Sequence, residues 1–240
     1  MPFDSPTLVL FDIDGTLIQS GRAGLRGMNA AFSRLHGRDS ALSDVPIAGR
    51  TDRAIVADVL RLLGVEPSDE QVQRLREAYL EDLRLEIGRP VEAPSGVLPG
   101  VVDLLSALEV RTDVAVGLLT GNFAGGAAIK LGHFGLWERF RFGAFGDDHA
   151  DRRALVPVAL EQAARAGCRV TRDGRVVIIG DTPLDVDCAL AHGARALGVA
   201  TGPFGREDLA AAGAHHVVPT LADTTDLVDW LTSTDGPGAG

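Results

Sequence analysis

The chain has 240 residues, 45% of them hydrophobic, and a net charge of -10 with a pI near 5.0. That is enough for one large domain, or for a core domain with a smaller companion. The acidic balance argues against a general binder of nucleic acid or of an anionic membrane, while leaving room for a local basic pocket.

Cys168 and Cys188, the two cysteines, form neither a metal-ligand spacing nor a disulfide framework, so a reduced, cytoplasmic setting is expected. The first residues carry no basic segment leading into an unbroken apolar run, so no signal peptide is expected. No apolar stretch is long enough to span a bilayer. Lys130 is the only lysine.

Leu8-Val9-Leu10-Phe11 reads as a strand buried on both faces, of the kind found in the middle of a parallel sheet. It runs into Asp12-Ile13-Asp14-Gly15-Thr16, two carboxylates one residue apart. Two acids at the end of a buried strand are costly unless something charged meets them, and a divalent cation would do so. From about Gly21 to Gly88 no strand is expected. Apolar residues recur there at helical spacing: Met28, Ala31, Phe32 and Leu35, then Ile55, Val56, Val59, Leu60 and Leu63, then Val72, Leu75, Tyr79, Leu80 and Leu83. Ser68-Asp69-Glu70 marks a helix start. Pro90, Pro94, Gly96, Pro99 and Gly100 read as a linker. Beyond it, Val101–Leu108 has a helical period and Val114–Leu119 is a buried strand. A weak helix follows Phe123, then a short strand within Phe140–Phe145, a helix over Ala154–Ala166, and a strand at Val176–Ile179. A helix through Asp187 and Ala191, strands at Ala196–Ala200 and His216–Val218, and a frayed Asp235–Gly240 tail complete the pattern. Strands alternating with helices predict an α/β fold, a doubly wound parallel sheet with an inserted small helical domain.

The string Asp12-Ile13-Asp14-Gly15-Thr16 resembles the first motif of the haloacid dehalogenase-like hydrolase superfamily. The resemblance extends over nearly the whole chain, and its phosphoglycolate-phosphatase-like branch is the broadest comparison. It implies a Rossmann-like catalytic core from residues 1–18 and 95–240, with a helical C1 cap over residues 19–94. It also implies that Asp12 is a nucleophile that becomes a phosphoaspartate, and that Asp14 is the general acid and base. A carboxylate attacking a phosphate dianion needs a cation between them, the usual work of Mg²⁺.

Ligands in open α/β sheets bind beyond the carboxyl ends of the strands, so the other strand ends are where partners of Asp12 are expected. Leu118-Leu119-Thr120-Gly121-Asn122 closes the second strand. Thr120 or Asn122 on its own reads as a helix cap. Beside the first motif the string resembles the family's second, which implies phosphate binding by the Thr120 hydroxyl, with Gly121 and Asn122 alongside. Ile179-Gly180-Asp181-Thr182-Pro183-Leu184-Asp185 closes another strand. Thr182, Pro183 and Asp185 have a structural explanation as N-cap, first helical residue and capping-box acid. Asp181 has none, and it resembles the acidic fourth motif. The resemblance then implies an oxygen-only Mg²⁺ site of Asp181, the Asp12 side chain and the Asp14 carbonyl, with Asp185 joining directly or through water.

The family also uses a basic residue, usually Lys, to hold the phosphate. Lys130 lies about eight residues beyond the helix start after Thr120, roughly 12 Å along the axis, which places it outside the site. Arg152 follows the third strand just before a helix and takes the role, with Arg153 as second choice; a solvated charged loop is the competing reading. In the helical insertion, Gly49-Arg50-Thr51-Asp52 has two readings of equal weight. One is a helix start capped by Thr51 or Asp52; the other is a loop whose Arg50 reaches the substrate. His36, His133, His192, His215 and His216 form no HxxxH-type metal pattern.

These features describe a Mg²⁺-dependent phosphatase acting on a small phosphorylated metabolite, with neither nucleic acid nor membrane as partner. A phosphomutase of the same superfamily, or a non-catalytic phosphometabolite-binding protein, are the alternatives. Asp14 argues against a true dehalogenase, since displacing halide gives a second acid nothing to protonate.

Overall fold

The computed structural model of the chain describes residues 3–147 and 149–233, with residues 3–6 and 169–174 described by backbone alone. The tail expected at Asp235–Gly240 lies outside the described residues. Six strands form one parallel sheet: β1 (Phe3–Phe11), β4 (Val114–Leu119), β5 (Gly143–Ala144), β6 (Cys168–Gly180), β7 (Arg195–Val199) and β8 (His216–Val218), ordered β5-β4-β1-β6-β7-β8.

β1 lies between β4 and β6, with Leu8 paired to Ala115 on one side and Val176 on the other. Its side chains alternate between two apolar layers. Leu8 and Leu10 pack with α6 (Leu155–Arg165), α7 (Pro183–Leu190) and α8 (Arg206–Ala211). Val9 and Phe11 pack with α4 (Val101–Glu109), α5 (Ala124–His133) and α9 (Thr224–Thr232). With both faces filled, polar side chains find room only past the strand's carboxyl end, where Asp12 begins.

Between β1 and β4 the chain makes a helical excursion. β2 (Ile18–Ser20) and β3 (Ser95–Val97) pair antiparallel as its two-stranded stalk, reinforced by Gly21 N–H donating to the Pro94 carbonyl at 3.0 Å. Above the stalk stand α1 (Ala23–His36), α2 (Asp52–Leu62) and α3 (Asp69–Glu86), with an apolar core of their own around Phe32, Leu60, Leu75, Tyr79 and Leu83. The hydroxyls of Thr51 and Ser68 cap α2 and α3, accepting from Ala54 N–H and Gln71 N–H. Arg26 on α1 is bound to Glu86 on α3 at 2.6 Å.

The chain departs from the sequence reading in places where the elements are short or their pattern weak. Ser95–Val97, inside the expected linker, is a strand because pairing with β2 supplies what three residues lack by themselves. The strand expected within Phe140–Phe145 contracts to Gly143–Ala144, while β6 starts at Cys168, well before Val176. Helices α8 and α9 were not expected; α9 earns its place by burying Leu227 and Leu231 against the sheet. Among the described residues no helix is long and apolar enough to cross a membrane.

Candidate active site

The strand order sets β4, β1 and β6 side by side. Their carboxyl ends therefore present Thr120, Asp12 and Asp181 to one another although the three are far apart in sequence. Oxygens of Asp12, Asp181 and Asp185 lie within 4.8 Å of one another, and all three residues are buried.

Asp181 fits because two glycines make way for it. A Cβ on Gly15 would fall 2.3 Å from Asp181 Oδ2, and one on Gly202 would fall 1.6 Å away; Gly15 also has φ of +83°. The Thr16 hydroxyl donates to Asp181 Oδ1 at 3.3 Å. Asp185 is held on both sides. Its Oδ2 accepts from the Thr182 N–H at 3.1 Å and the Thr182 hydroxyl at 2.7 Å, closing the capping box of α7, and its Oδ1 accepts from Arg152 at 2.5 Å. The capping role read from the sequence and a place in the acid cluster thus coexist in Asp185.

Two buried cations divide the acids between them. Arg152 Nη2 meets Asp12 Oδ1 at 3.0 Å as well as Asp185, and its Nη1 donates to the Gly49 carbonyl at 2.8 Å. Arg153 instead pairs with exposed Asp187 at 2.7 Å. Lys130 requires a correction to the sequence reading, which put it out of reach. Its Nζ donates to Asp14 Oδ2 at 2.6 Å and to Asn122 Oδ1 at 2.6 Å, and the side chain is buried. The helix α5 begins at Ala124, so Lys130 lies six residues along it, about 9 Å at 1.5 Å per residue, closer than the sequence reading put it. That reading also omitted that helical side chains lean back toward the N-terminus, so a long lysine stem recovers much of that distance.

Asn122 completes this second pair, its Nδ2 donating to Asp14 Oδ2 at 2.9 Å and to the Thr120 hydroxyl oxygen at 2.8 Å. Thr120 Oγ1 accepts there and also from Asn122 N–H, so its own O–H remains available to a ligand. Gly121 accepts from Asp52 N–H at 2.7 Å through its carbonyl, and a Cβ on it would fall 2.2 Å from the Arg50 carbonyl oxygen. This glycine thus lets the 47–52 loop of the insertion settle onto the core.

A cavity of about 690 Å³ lies between this floor and the insertion, bounded by Asp12, Asp14, Thr120, Lys130, Arg152 and Asp181 below. Arg50, one of whose two readings has it reach the substrate, lines it too, but its guanidinium is already paired. Nη2 binds Asp58 Oδ2 at 2.6 Å and Nη1 donates to the Pro46 carbonyl at 3.0 Å. The helix α2 begins beside Arg50 and carries Asp58 to it, a contact no local motif announces.

Burial raises the Asp181 carboxyl to about 9, with Asp12 and Asp185 adding to the effect, and burial likewise raises Asp185 to about 6 against the pull of Arg152. Burial opposes the charge on Lys130, but the carboxylates of Asp14 and Asp52 outweigh it and hold the ammonium above its usual range. Arg152 is held up likewise by Asp12 and Asp185. If Asp12, Asp14, Asp181 and Asp185 are all ionised, Lys130 and Arg152 leave them two positive charges short, the charge of one divalent ion. The clustered donors are all oxygens, the ligand type that Mg²⁺ prefers. The residues fit such an ion.

A family model described as haloacid dehalogenase-like hydrolase matches residues 9–190. The chain belongs to that family. Among similar proteins, phosphoglycolate phosphatase of Rhodospirillum rubrum is 28% identical over 231 residues, spanning 94% of this chain and 91% of the relative. Tyrosine-protein kinase PtkA of Mycobacterium tuberculosis is 27% identical over 230 residues, spanning 96% of this chain and 74% of the relative. The solved structure of a hydrolase from Pseudomonas syringae is similar in fold, with a TM-score of 0.66 at 22% identity over 95% of this chain and 99% of that one. Haloacid dehalogenase-like hydrolases typically work with a divalent metal, which the acid cluster suits.

The raised carboxyls make a stability prediction. Without metal, the folded state keeps a proton on Asp181 between its ordinary value of 3.8 and about 9, where the unfolded chain does not. Stability from this group is full below the lower value and is lost as pH rises through the upper one. In chelator, the melting temperature should fall as pH rises across that window. Mg²⁺ should raise it more at the alkaline end than at the acid end. Calorimetry with chelator and with Mg²⁺ across the window checks this; a metal effect independent of pH would show that Asp181 is not the group that meets the ion.

Proposed function

We propose that this hydrolase is a Mg²⁺-dependent phosphatase of small phosphorylated metabolites, working through a phosphoaspartate on Asp12. The observation that carries the reading is the pair Asp12 and Asp14 on one short loop, each bound to its own buried cation, at 3.0 Å to Arg152 and 2.6 Å to Lys130. The name of the Rhodospirillum relative, a phosphatase of a small phosphate ester, supports the substrate class.

In this reading an Asp12 oxygen forms a bond to phosphorus as the bond from phosphorus to the alcohol oxygen breaks. Asp14 gives the departing alkoxide a proton, then takes one from the water that attacks phosphorus, as the bond from phosphorus to the Asp12 oxygen breaks to release phosphate and restore the Asp12 carboxylate. The Thr120 hydroxyl donates to a phosphoryl oxygen. Arg152 fixes the Asp12 carboxylate, and Lys130 with Asn122 fixes that of Asp14. Asp12, Asp181 and Asp185 would hold Mg²⁺, which supplies positive charge to offset the phosphate's. The helical insertion acts as a cap that keeps bulk water from the aspartyl phosphate.

Asp12→Asn should abolish release of phosphate from p-nitrophenyl phosphate while leaving the circular dichroism spectrum intact. Asp14→Asn should lose roughly 10²–10⁴-fold, the usual share of general acid–base catalysis. Loss should also follow chelation and be reversed by Mg²⁺. A folded Asp12→Asn protein turning over at a near-normal rate would exclude the phosphoaspartate route.

The two cations should both matter. Arg152→Ala and Lys130→Met should each lower kcat by about 10²–10³, the range for a lost electrostatic donor. Steady-state rates on the two folded variants decide it, and a silent Lys130→Met would restrict electrostatic support to Arg152.

A further inference from the structure

The cavity floor is charged, while the roof contributed by the insertion is mainly apolar. Leu25 and Met28 of α1, Leu42 and Ile47 between α1 and α2, and Ile55 of α2 all line it. Charged groups that the insertion adds to the lining are largely spoken for. Arg50 is paired with Asp58, and Asp52 Oδ2 accepts from Phe123 N–H at 2.8 Å. Arg22 also lines the cavity, but it is exposed to solvent. At about 690 Å³, the volume lies within the range of pockets that take drug-sized ligands, far more than a two-carbon acid fills.

We propose that the phosphate ester bound here carries a bulky apolar alcohol, seated against Leu25, Met28, Leu42, Ile47 and Ile55, rather than a short anionic one. This deepens the phosphatase reading and rests on it for the phosphate end of the ligand. The physical basis is transfer of the alcohol's hydrocarbon from water to an apolar roof. Among the described residues that line the cavity, Arg50, Lys130 and Arg152 are all paired and Arg22 is exposed, which removes the reason for an acid to bind under that roof. A carboxylate in that position would be desolvated without a partner.

Binding and turnover separate the two readings. Calorimetric titration of the Mg²⁺-loaded protein with methylphosphonate and hexylphosphonate probes the roof without requiring hydrolysis. Each fully buried methylene adds up to about fourfold in affinity, from about 0.8 kcal/mol per CH₂. Hexylphosphonate should therefore bind at least tenfold more tightly than methylphosphonate. Ile47→Asp, at a position already 38% exposed and so tolerant of change, should shrink that ratio while the circular dichroism spectrum is kept. Equal binding of the two phosphonates would overturn the inference. So would 3-phosphonopropionate binding more tightly than hexylphosphonate and losing that advantage in Arg22→Ala, because the exposed cation would then be selecting an acid. Release of phosphate from hexyl phosphate and p-nitrophenyl phosphate is measured in parallel. A chain-length effect on binding with no turnover of either ester supports the apolar roof and removes the phosphatase reading; turnover of both with no chain-length effect does the reverse.

Discussion

The arrangement depends on charge compensation among buried carboxylates. Asp12, Asp181 and Asp185 share a space in which Asp12 and Asp185 raise the cost of ionising Asp181, and Asp12 that of Asp185; a single residue separates Asp14 from Asp12. Removing one member of a buried pair typically costs about 3–5 kcal/mol, because the partner charge is left without compensation. Arg152 is thus a condition for Asp12 and Asp185 being there at all, whereas Lys130 is the buried partner of a half-exposed Asp14. Arg152 does more than neutralise. Its Nη1 bond to the Gly49 carbonyl ties the insertion to the same guanidinium that holds Asp12 and Asp185. The charge state of the site and the seating of the 47–52 loop consequently share one side chain.

The docking of insertion and core is polar where they touch and apolar where they enclose space. Asp52 N–H binds the Gly121 carbonyl, Asp52 Oδ2 accepts from Phe123 N–H, and the Thr51 hydroxyl donates to the Ala150 carbonyl at 3.0 Å. Arg76 of α3 reaches Asp147 at 3.0 Å, whose other oxygen accepts from Ala124 N–H at the start of α5. These directional contacts fix where the roof sits. The roof itself, with Met28 and Ile55, lowers the polarity above the acid cluster, and charges interact more strongly across such a medium than through water.

The parts of this design that were legible in the sequence are those governed by local pattern. The unbroken apolar run Leu8–Phe11 meant a strand covered on both faces, and Asp12 had to follow where that cover ended. The Thr182-Pro183-Leu184-Asp185 string carried its capping box openly, and the structure closes it. Other features depend on contacts between distant segments and left no such trace. Ser95–Val97 is a strand because β2 is beside it. The pairing of Arg50 was hidden because Asp58, eight residues on, meets it only once α2 has formed. Lys130 was misplaced for a subtler reason. The rise of a helix describes its axis, whereas the reach of a lysine is set by the direction of its side chain, and that direction points back toward the strand ends.

The division of labour between the two cations follows from their shapes. Arg152 must satisfy Asp12 and Asp185 through Nη2 and the Gly49 carbonyl through Nη1 at once. A guanidinium spreads its donors in a fixed fork and does this without moving; an ammonium of the same charge lacks the span. Lys130 has the opposite task. Its two acceptors, Asp14 Oδ2 and Asn122 Oδ1, are both 2.6 Å from a single nitrogen, and a compact point charge at the end of a long stem suits them. The lone lysine of this chain therefore stands where a point charge is wanted, and an arginine stands where a bridge is. Exchanging the two would preserve every formal charge in the site while breaking the geometry that the charges depend on.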